Sequence, residues 1–528
     1  MSPPPLRTIE SAWAQIARRR ILSCLLVVVL CLVMRMTLLR VSTIPEPQVS
    51  DEFSYILGAE TFAKGRLTTP THPMWRFFET HHVNMQPTYA SKYPPAQAAF
   101  LALGIRFFGH PWYGVLISVA LMCGCICWML QGWMPPKYAL LGGIFAVLQF
   151  GAAHSWIDSY WGGAVAALGG ALVIGALPRL ARAGRASSAC AAAFGIFVLA
   201  NSRPFEGAVL VSLSAAALLF WPGGRSAAWL RPAALLPLTI ILSAGAGAMA
   251  IYNWRLTGSP LTLPYSVNML RYAAVPVLWI LPPYPPKQRE YRDPSMREMW
   301  ESWDVSFYKN ARRNPAVLAL HVYQEISVLA RWGAGLTLAF LFACALPIAA
   351  LPRLRMALGI LLLSLCAVML EKSVLPHYVA PSLGVYFVVA MFGLRLLHSM
   401  RLGRRRIGQA VVAGLVAQAG VLFIVDTVET IYSSKSATEM NPVVFRRQVS
   451  ARLESEAGTH LVLVHYAPNH SFHSECVYNS PDIDSQKIVW AFDFGPQADR
   501  PLLEYFAGRK VWLMQPDGPQ PTLELYSR

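Results

Sequence analysis

The chain has 528 residues, 55% of them hydrophobic and only 14% charged, with a formal net charge of +17. Soluble domains carry about 25% charged residues, so this composition points to a polytopic membrane protein and away from a string of soluble domains. The basic residues sit between apolar runs, where they report topology, so the positive charge gives no reason to expect a nucleic-acid partner.

Arg18, Arg19 and Arg20 precede an apolar run that starts at Ile21. Arg35 and Arg40 follow with no small-x-small cleavage pattern, so the run reads as an uncleaved first span. A span needs about 20 apolar residues, fewer where the bilayer thins. Eleven candidates follow, at 21–39, 112–131, 138–153, 161–177, 188–201, 205–221, 232–251, 328–350, 355–371, 378–397 and 407–425. The expected fold class is therefore a polytopic all-α membrane protein of about eleven helices, followed by a small α/β domain.

One alternate set of connections holds Lys137, Arg179, Arg182, Arg185, Arg225, Arg231, Arg353, Arg355, Arg401 and Arg404 to Arg406. That set is expected on the cytoplasmic side together with residues 1–20. The transmembrane body is then 21–425, and the outer face receives the loops 40–111 and 252–327, the turn 154–160 and the tail 426–528. Of the nine cysteines, eight (Cys24, Cys31, Cys123, Cys125, Cys127, Cys190, Cys344, Cys366) lie in apolar runs, so no disulfide framework is implied.

The first outer loop opens with prolines and then Ser50, Asp51, Glu52 and Tyr55. Two readings stand for the acids. Ser50 can cap a helix whose first turn favours carboxylates through its dipole. Alternatively, Asp51 lies at the membrane–water boundary, where low-dielectric surroundings tune a carboxylate to accept a hydroxyl proton. His81 and His82 are adjacent, which suits a metal poorly on a helix; a solvent-facing or phosphate-contacting role fits them better. Lys92 stands before Tyr93, Pro94 and Pro95 on a stiff extended segment, as an interfacial lysine or as a cation for a lipid headgroup.

This order resembles a known family. Arg35 late in span one, prolines, Asp51-Glu52, Tyr55, Gly58-Ala59, Gly65-x-Leu67 and Lys92-Tyr93-Pro94-Pro95 before an apolar helix are similar to the type-C (GT-C) polyprenyl- and dolichyl-phosphate-sugar-dependent glycosyltransferases. Aminoarabinose transferases and protein O-mannosyltransferases belong to that family (glycosyltransferase families 39 and 83). The resemblance covers about residues 20–400. It implies that Asp51, with Glu52 beside it, is the catalytic or acceptor-binding carboxylate. Asp158, in the turn from His154 to Trp161, matches a second acidic position; the alternative is a polar turn anchored by Trp156, Tyr160 and Trp161 in the aromatic belt.

Further candidates lie in the same outer set. Arg203 follows Asn201 and Ser202 between two short spans, as a phosphate contact or as the partner of Glu206 one turn on. Arg255, just past span seven, is a second phosphate candidate. Residues 282–315 are proline-rich, then mixed in charge, and read as one or two interfacial helices over the site. Lys372 and His377, before span ten, are candidates for the carrier phosphate or the acceptor. In the tail, strands are expected near 460–466, 487–491 and 510–514, with helices at 443–457 and 499–507. His465, His470, His473 and Glu475 match no metal-ligand spacing.

The expected activity is transfer of a sugar from a polyprenyl-phosphate donor to a hydroxyl acceptor at the outer face of a bacterial inner membrane, with inversion. Asp51, Glu52 and Asp158 are the catalytic candidates. Tyr55, Lys92, Tyr93, Arg203, Arg255, Lys372 and His377 are the substrate-binding ones. Partners are the lipid-linked donor, a lipid, glycan or protein acceptor and membrane lipids, with no nucleic acid. No cofactor is required by any motif, and a divalent cation is left open. The alternative is a transporter, flippase or ligase for lipid-linked saccharides, which mid-span charges and an internal repeat would favour.

Overall fold

The computed structural model describes residues 4–222, 227–286, 289–291, 293–331, 335–436, 441–518 and 520–526. Arg225, one of the orienting basic residues, lies outside them. The chain divides into two compact units, Met1–Pro45, Trp112–Ala248 and Asn314–Lys435 in the first, Glu46–Pro111, Met249–Arg313 and Ser436–Arg528 in the second.

The first unit is helical. Among the described residues, six helices are long and apolar enough to cross a membrane: Arg20–Leu38, Trp112–Trp133, Gly163–Ala183, Pro232–Thr257, Pro376–His398 and Gly408–Tyr432. Shorter apolar helices include Pro136–Phe150, Ala186–Ala200, Pro204–Leu219 and Gly335–Ile348. Proline begins several of them, where its missing N–H is an orphan anyway. Residues Pro315–Arg331, placed by the sequence mostly in the second long loop, are helical as well. Residues 332–334, inside the expected span 328–350, lie outside the described residues.

Small residues let these helices approach closely, as lipid-embedded helices require. A Cβ added to Gly170 would lie 1.9 Å from the carbonyl oxygen of Pro381, and one on Gly195 would lie 2.7 Å from that of Gly169. Large apolar side chains point outward instead. Ile21, Leu22, Leu25, Val29 and Val33 on the first helix and Val421, Ile424, Val425 and Val428 on the last are all exposed. Such long exposed apolar faces suit a hydrocarbon surrounding, and the chain is a membrane protein.

The second unit collects the two long loops and the tail. The helix Ser50–Ala63 is followed by a small antiparallel sheet of β1 (Thr69–Pro70), β2 (Val83–Asn84) and β3 (Thr88–Ser91) in the order β1-β3-β2. Helix Pro95–Phe108 then ends at Gly109, whose φ of 77° is the left-handed conformation that glycine tolerates best. The mixed-charge stretch is continuously helical over 294–313, with a π-helical turn at Glu298–Trp303 that buries Met299 and Trp300.

The tail forms a four-stranded sheet of β4 (His460–Val464), β5 (Ile488–Phe492), β6 (Lys510–Gln515) and β7 (Thr522–Leu525), in the order β5-β4-β6-β7. β4 runs parallel to β5 and β6, and β7 pairs antiparallel with β6. The continuous apolar run of β4 is explained by burial on both faces. Leu461 and Leu463 join Leu57, Phe77, Phe78, Val83 and Met85 of the first loop in one core. Val462 and Val464 join Val449 and Leu453 of helix Pro442–Ser455 in another. Each such side chain contributes about 1.5–3 kcal/mol relative to exposure.

Candidate active site

The helix Ser50–Ala63 sets the first group of residues. Glu52 Oε2 accepts from the backbone N–H of Gln48 at 2.6 Å and of Val49 at 3.1 Å, which closes the helix N-terminus. Glu52 is buried, and its carboxylate holds the backbone that carries its neighbour. Asp51 is one residue away, hence about 100° around the helix. Its side chain keeps 30% exposure.

Two neutral groups face the Asp51 carboxylate. The Tyr93 hydroxyl donates to Oδ1, and His82 Nε2 lies 3.5 Å from Oδ2. Tyr93 arrives on the stiff Lys92-Tyr93-Pro94-Pro95 segment that leads from β3 into helix Pro95–Phe108. Its ring stacks on Tyr55 with centroids 4.4 Å apart. His82 is fixed through its backbone, since Ser54 Oγ donates to its carbonyl at 2.7 Å and also meets Ser91 Oγ at 2.8 Å. The φ of His82 is 61°, a left-handed conformation uncommon outside glycine and the kind of strain that collects at functional sites.

The electrostatics keep these partners neutral. Burial, Asp51 and Tyr55 push the Tyr93 hydroxyl well above its ordinary value, so it remains a donor. Burial first and Lys92 second push His82 down to about 3, against the pull of Asp51. Asp51 thus sits among dipoles in a partly dry place, which suits a general base. Lys92 is buried with its Nζ 5.0 Å from the Tyr93 ring, 5.2 Å from Tyr265 and 5.3 Å from Trp300. Three rings around one ammonium form a cation–π box. The structure corrects the solvent-facing reading of the histidine pair, because His81 and His82 are both buried.

The first unit holds the other candidates in separate pairs. Asp158 Oδ1 accepts from Arg35 Nη2 at 2.5 Å, and the Arg35 guanidinium lies 5.3 Å from the Trp112 ring centroid. Burial pushes Asp158 up to about 6 although Arg35 pulls it down. Trp156 and Tyr160 are wholly buried, so they pack inside the unit instead of lining an aromatic belt. Arg203 Nη1 lies 3.7 Å from Glu206 Oε1, and its guanidinium sits 4.5 Å from the Tyr378 ring. His377 is buried 5.4 Å from the Trp161 ring, and Lys372 is buried nearby in sequence. In the second unit, Arg255 is exposed on the last turn of helix Pro232–Thr257.

The structure thus joins Asp51, Tyr55, Lys92 and Tyr93, and adds His82, Tyr265 and Trp300. The last two lie over 160 residues from Lys92 in the chain, and no spacing pattern would have found them.

No protein-family model and no curated protein matches the sequence. Among solved structures, ArnT from Cupriavidus metallidurans in the apo state is 12% identical, with 93% of this chain and 92% of that one covered and a TM-score of 0.52. The same protein bound to undecaprenyl phosphate aligns at 12% identity over 93% and 92%, with a TM-score of 0.54. The archaeal oligosaccharyltransferase AglB from Archaeoglobus fulgidus, in complex with an inhibitory peptide and a dolichol-phosphate, aligns at 10% identity over 93% of this chain and 69% of that one, with a TM-score of 0.44. The ArnT likeness shows that this chain has the type-C glycosyltransferase fold, and the resemblance carried by Arg35, Asp51-Glu52 and Lys92 to Pro95 is borne out as a fold.

Proposed function

We propose that this protein is a membrane glycosyltransferase that moves a sugar from a polyprenyl-phosphate donor to a hydroxyl acceptor. One observation carries the reading: Asp51, on a fold shared with a protein that binds undecaprenyl phosphate, is a partly exposed carboxylate held by a tyrosine hydroxyl and a neutral histidine. Asp51 takes the proton of the acceptor hydroxyl as that oxygen bonds to the anomeric carbon. The bond from that carbon to the phosphate oxygen breaks on the opposite face, with inversion, and the lipid phosphate leaves with the electron pair.

Each remaining candidate has a role in this reading. Arg203, Arg255, Lys92 and Lys372 supply positive charge for the lipid phosphate. Tyr93 and Tyr55 position Asp51, and His377 contacts the acceptor or the carrier. Glu52 acts by fixing the helix start, and Asp158 by orienting Arg35. The reading further takes the protein to have eleven spans in a bacterial inner membrane, with residues 1–20 cytoplasmic. The loops 40–111 and 252–327 and the tail 426–528 are then periplasmic.

The test incubates purified protein with radiolabelled polyprenyl-phosphate sugars and membrane extract. Wild type forms a labelled product, and Asp51→Asn forms it about 100- to 10,000-fold more slowly, the range for loss of a general base. Movement of the labelled lipid across vesicles without a new glycosidic bond would instead support the transporter alternative.

A further inference from the structure

Three buried residues of the second unit, from distant positions in the chain, bring one side chain each to a common point. They are His81 before β2, Asp293 at the start of the 294–313 helical stretch, and Glu475 in the tail. A ring nitrogen of His81 and one carboxylate oxygen of each acid all lie within 4.8 Å of one another. We propose that these three residues bind one divalent cation of the zinc or manganese class, which ties the two long loops to the tail.

His81 is buried, and one of its ring nitrogens faces both carboxylates. Its Nε2 lies 3.2 Å from Ser295 Oγ and its Nδ1 3.1 Å from Met299 Sδ, both weak contacts that a metal bond would outweigh. Glu475 is more telling. Its Oε1 accepts from the Tyr466 hydroxyl and from the backbone N–H groups of Cys476 and Val477. Its Oε2 is buried with no hydrogen-bond partner among the described residues. A carboxylate oxygen left so is costly, and each such group calls for an explanation.

Charge points the same way. Two adjacent carboxylates and one imidazole carry the charge that a dication cancels, and a nitrogen with two oxygens suits zinc or manganese. Around an ion at about 2.1 Å, tetrahedral donors stand about 3.4 Å apart, so the side chains need close by at most about 1.4 Å on binding.

His470 is the candidate fourth ligand. It is buried, it lies five residues before Glu475 in the tail, and its Nε2 has no hydrogen-bond partner among the described residues. Its Nδ1 lies 2.7 Å from Asp517 Oδ1, the carboxylate–histidine arrangement that orients metal ligands.

The test is independent of the transfer reaction. Full-length protein is purified in detergent, stripped with EDTA, incubated with zinc or manganese, desalted and assayed by mass spectrometry for metal. Wild type retains about one equivalent, and its melting temperature rises by several degrees on reloading, as for a ligand that binds only the folded state. Glu475→Gln and His81→Gln lose the ion and the thermal shift, while His465→Gln, outside the cluster, keeps both. Should Glu475→Gln fail to fold, stripping and reloading the wild type decides. A wild type that retains neither ion, or a Glu475→Gln protein that still holds one equivalent, overturns the proposal.

Discussion

In the helical unit, Arg35 is met by the carboxylate of Asp158 and Arg203 by that of Glu206. In the loop-and-tail unit, Asp51 is met by a phenol and an uncharged imidazole, and Lys92 by three aromatic rings. A charge held by an opposite charge is largely committed, because separating a buried pair leaves one ion stranded. A carboxylate beside dipoles, or an ammonium beside π-faces, is surrounded differently from a charge in a close ion pair. The contrast lies in the kind of partner that surrounds each candidate charge in the two units.

Four measurements break or sharpen this contrast. The largest effect belongs to Asp51→Asn: labelled-sugar transfer falls by about 100- to 10,000-fold with the melting temperature nearly unchanged. Transfer within threefold of wild type would make Asp51 one more scaffold residue. Arg35→Met is expected to show a stability loss of about 3–5 kcal/mol in denaturant melts, because Asp158 loses the partner that offsets its burial. Gly170→Ala costs about 1–3 kcal/mol, since its new methyl must displace the backbone of Pro381. Asp482 accepts from Lys64 and Arg66 at the surface, so Asp482→Asn changes stability by less than about 1 kcal/mol.

Asp158 adds a pH signature. Its folded pKa of about 6 lies above the ordinary carboxylate value, so the folded state binds this proton more tightly than the unfolded chain does. Its contribution is therefore largest at low pH and declines as pH rises through the window from about 4 to 6. Melting temperatures measured across that window should lose this slope in Asp158→Asn. An identical slope in the variant would assign it to another group.

Much of the scaffold could be read before any coordinates. Six of the eleven expected spans coincide with helices long and apolar enough to cross a bilayer, others with shorter apolar helices, and the run from Leu461 to Val464 signalled a strand covered on both faces. The edge strand β7 escaped because Thr522–Leu525 is short and half exposed, with no alternation to mark it. Helix Pro315–Arg331 straddles the expected boundary between the loop 252–327 and the span 328–350, where Gln324 and Glu325 interrupt its apolar run. For the site, Asp51 was legible from its place after the first span. Tyr93 was named as well, but its contact with Asp51 was not, since the two lie 42 residues apart and meet only through the turn geometry of β3. The burial of His81 and His82 depends on packing among segments far apart in sequence, which no local pattern encodes.

The core shared by Leu57 and Leu461 has a further consequence for biogenesis. Residue 57 leaves the ribosome 404 positions before residue 461 (461 − 57), with most of the apolar helices made in between. Phe77, Phe78 and Val83 must wait uncovered through that interval, so nascent chains offer a sticky surface to chaperones and proteases until translation is nearly done. Premature stops within β4 should therefore yield chains that are cleared by the cell, and not shortened proteins that accumulate.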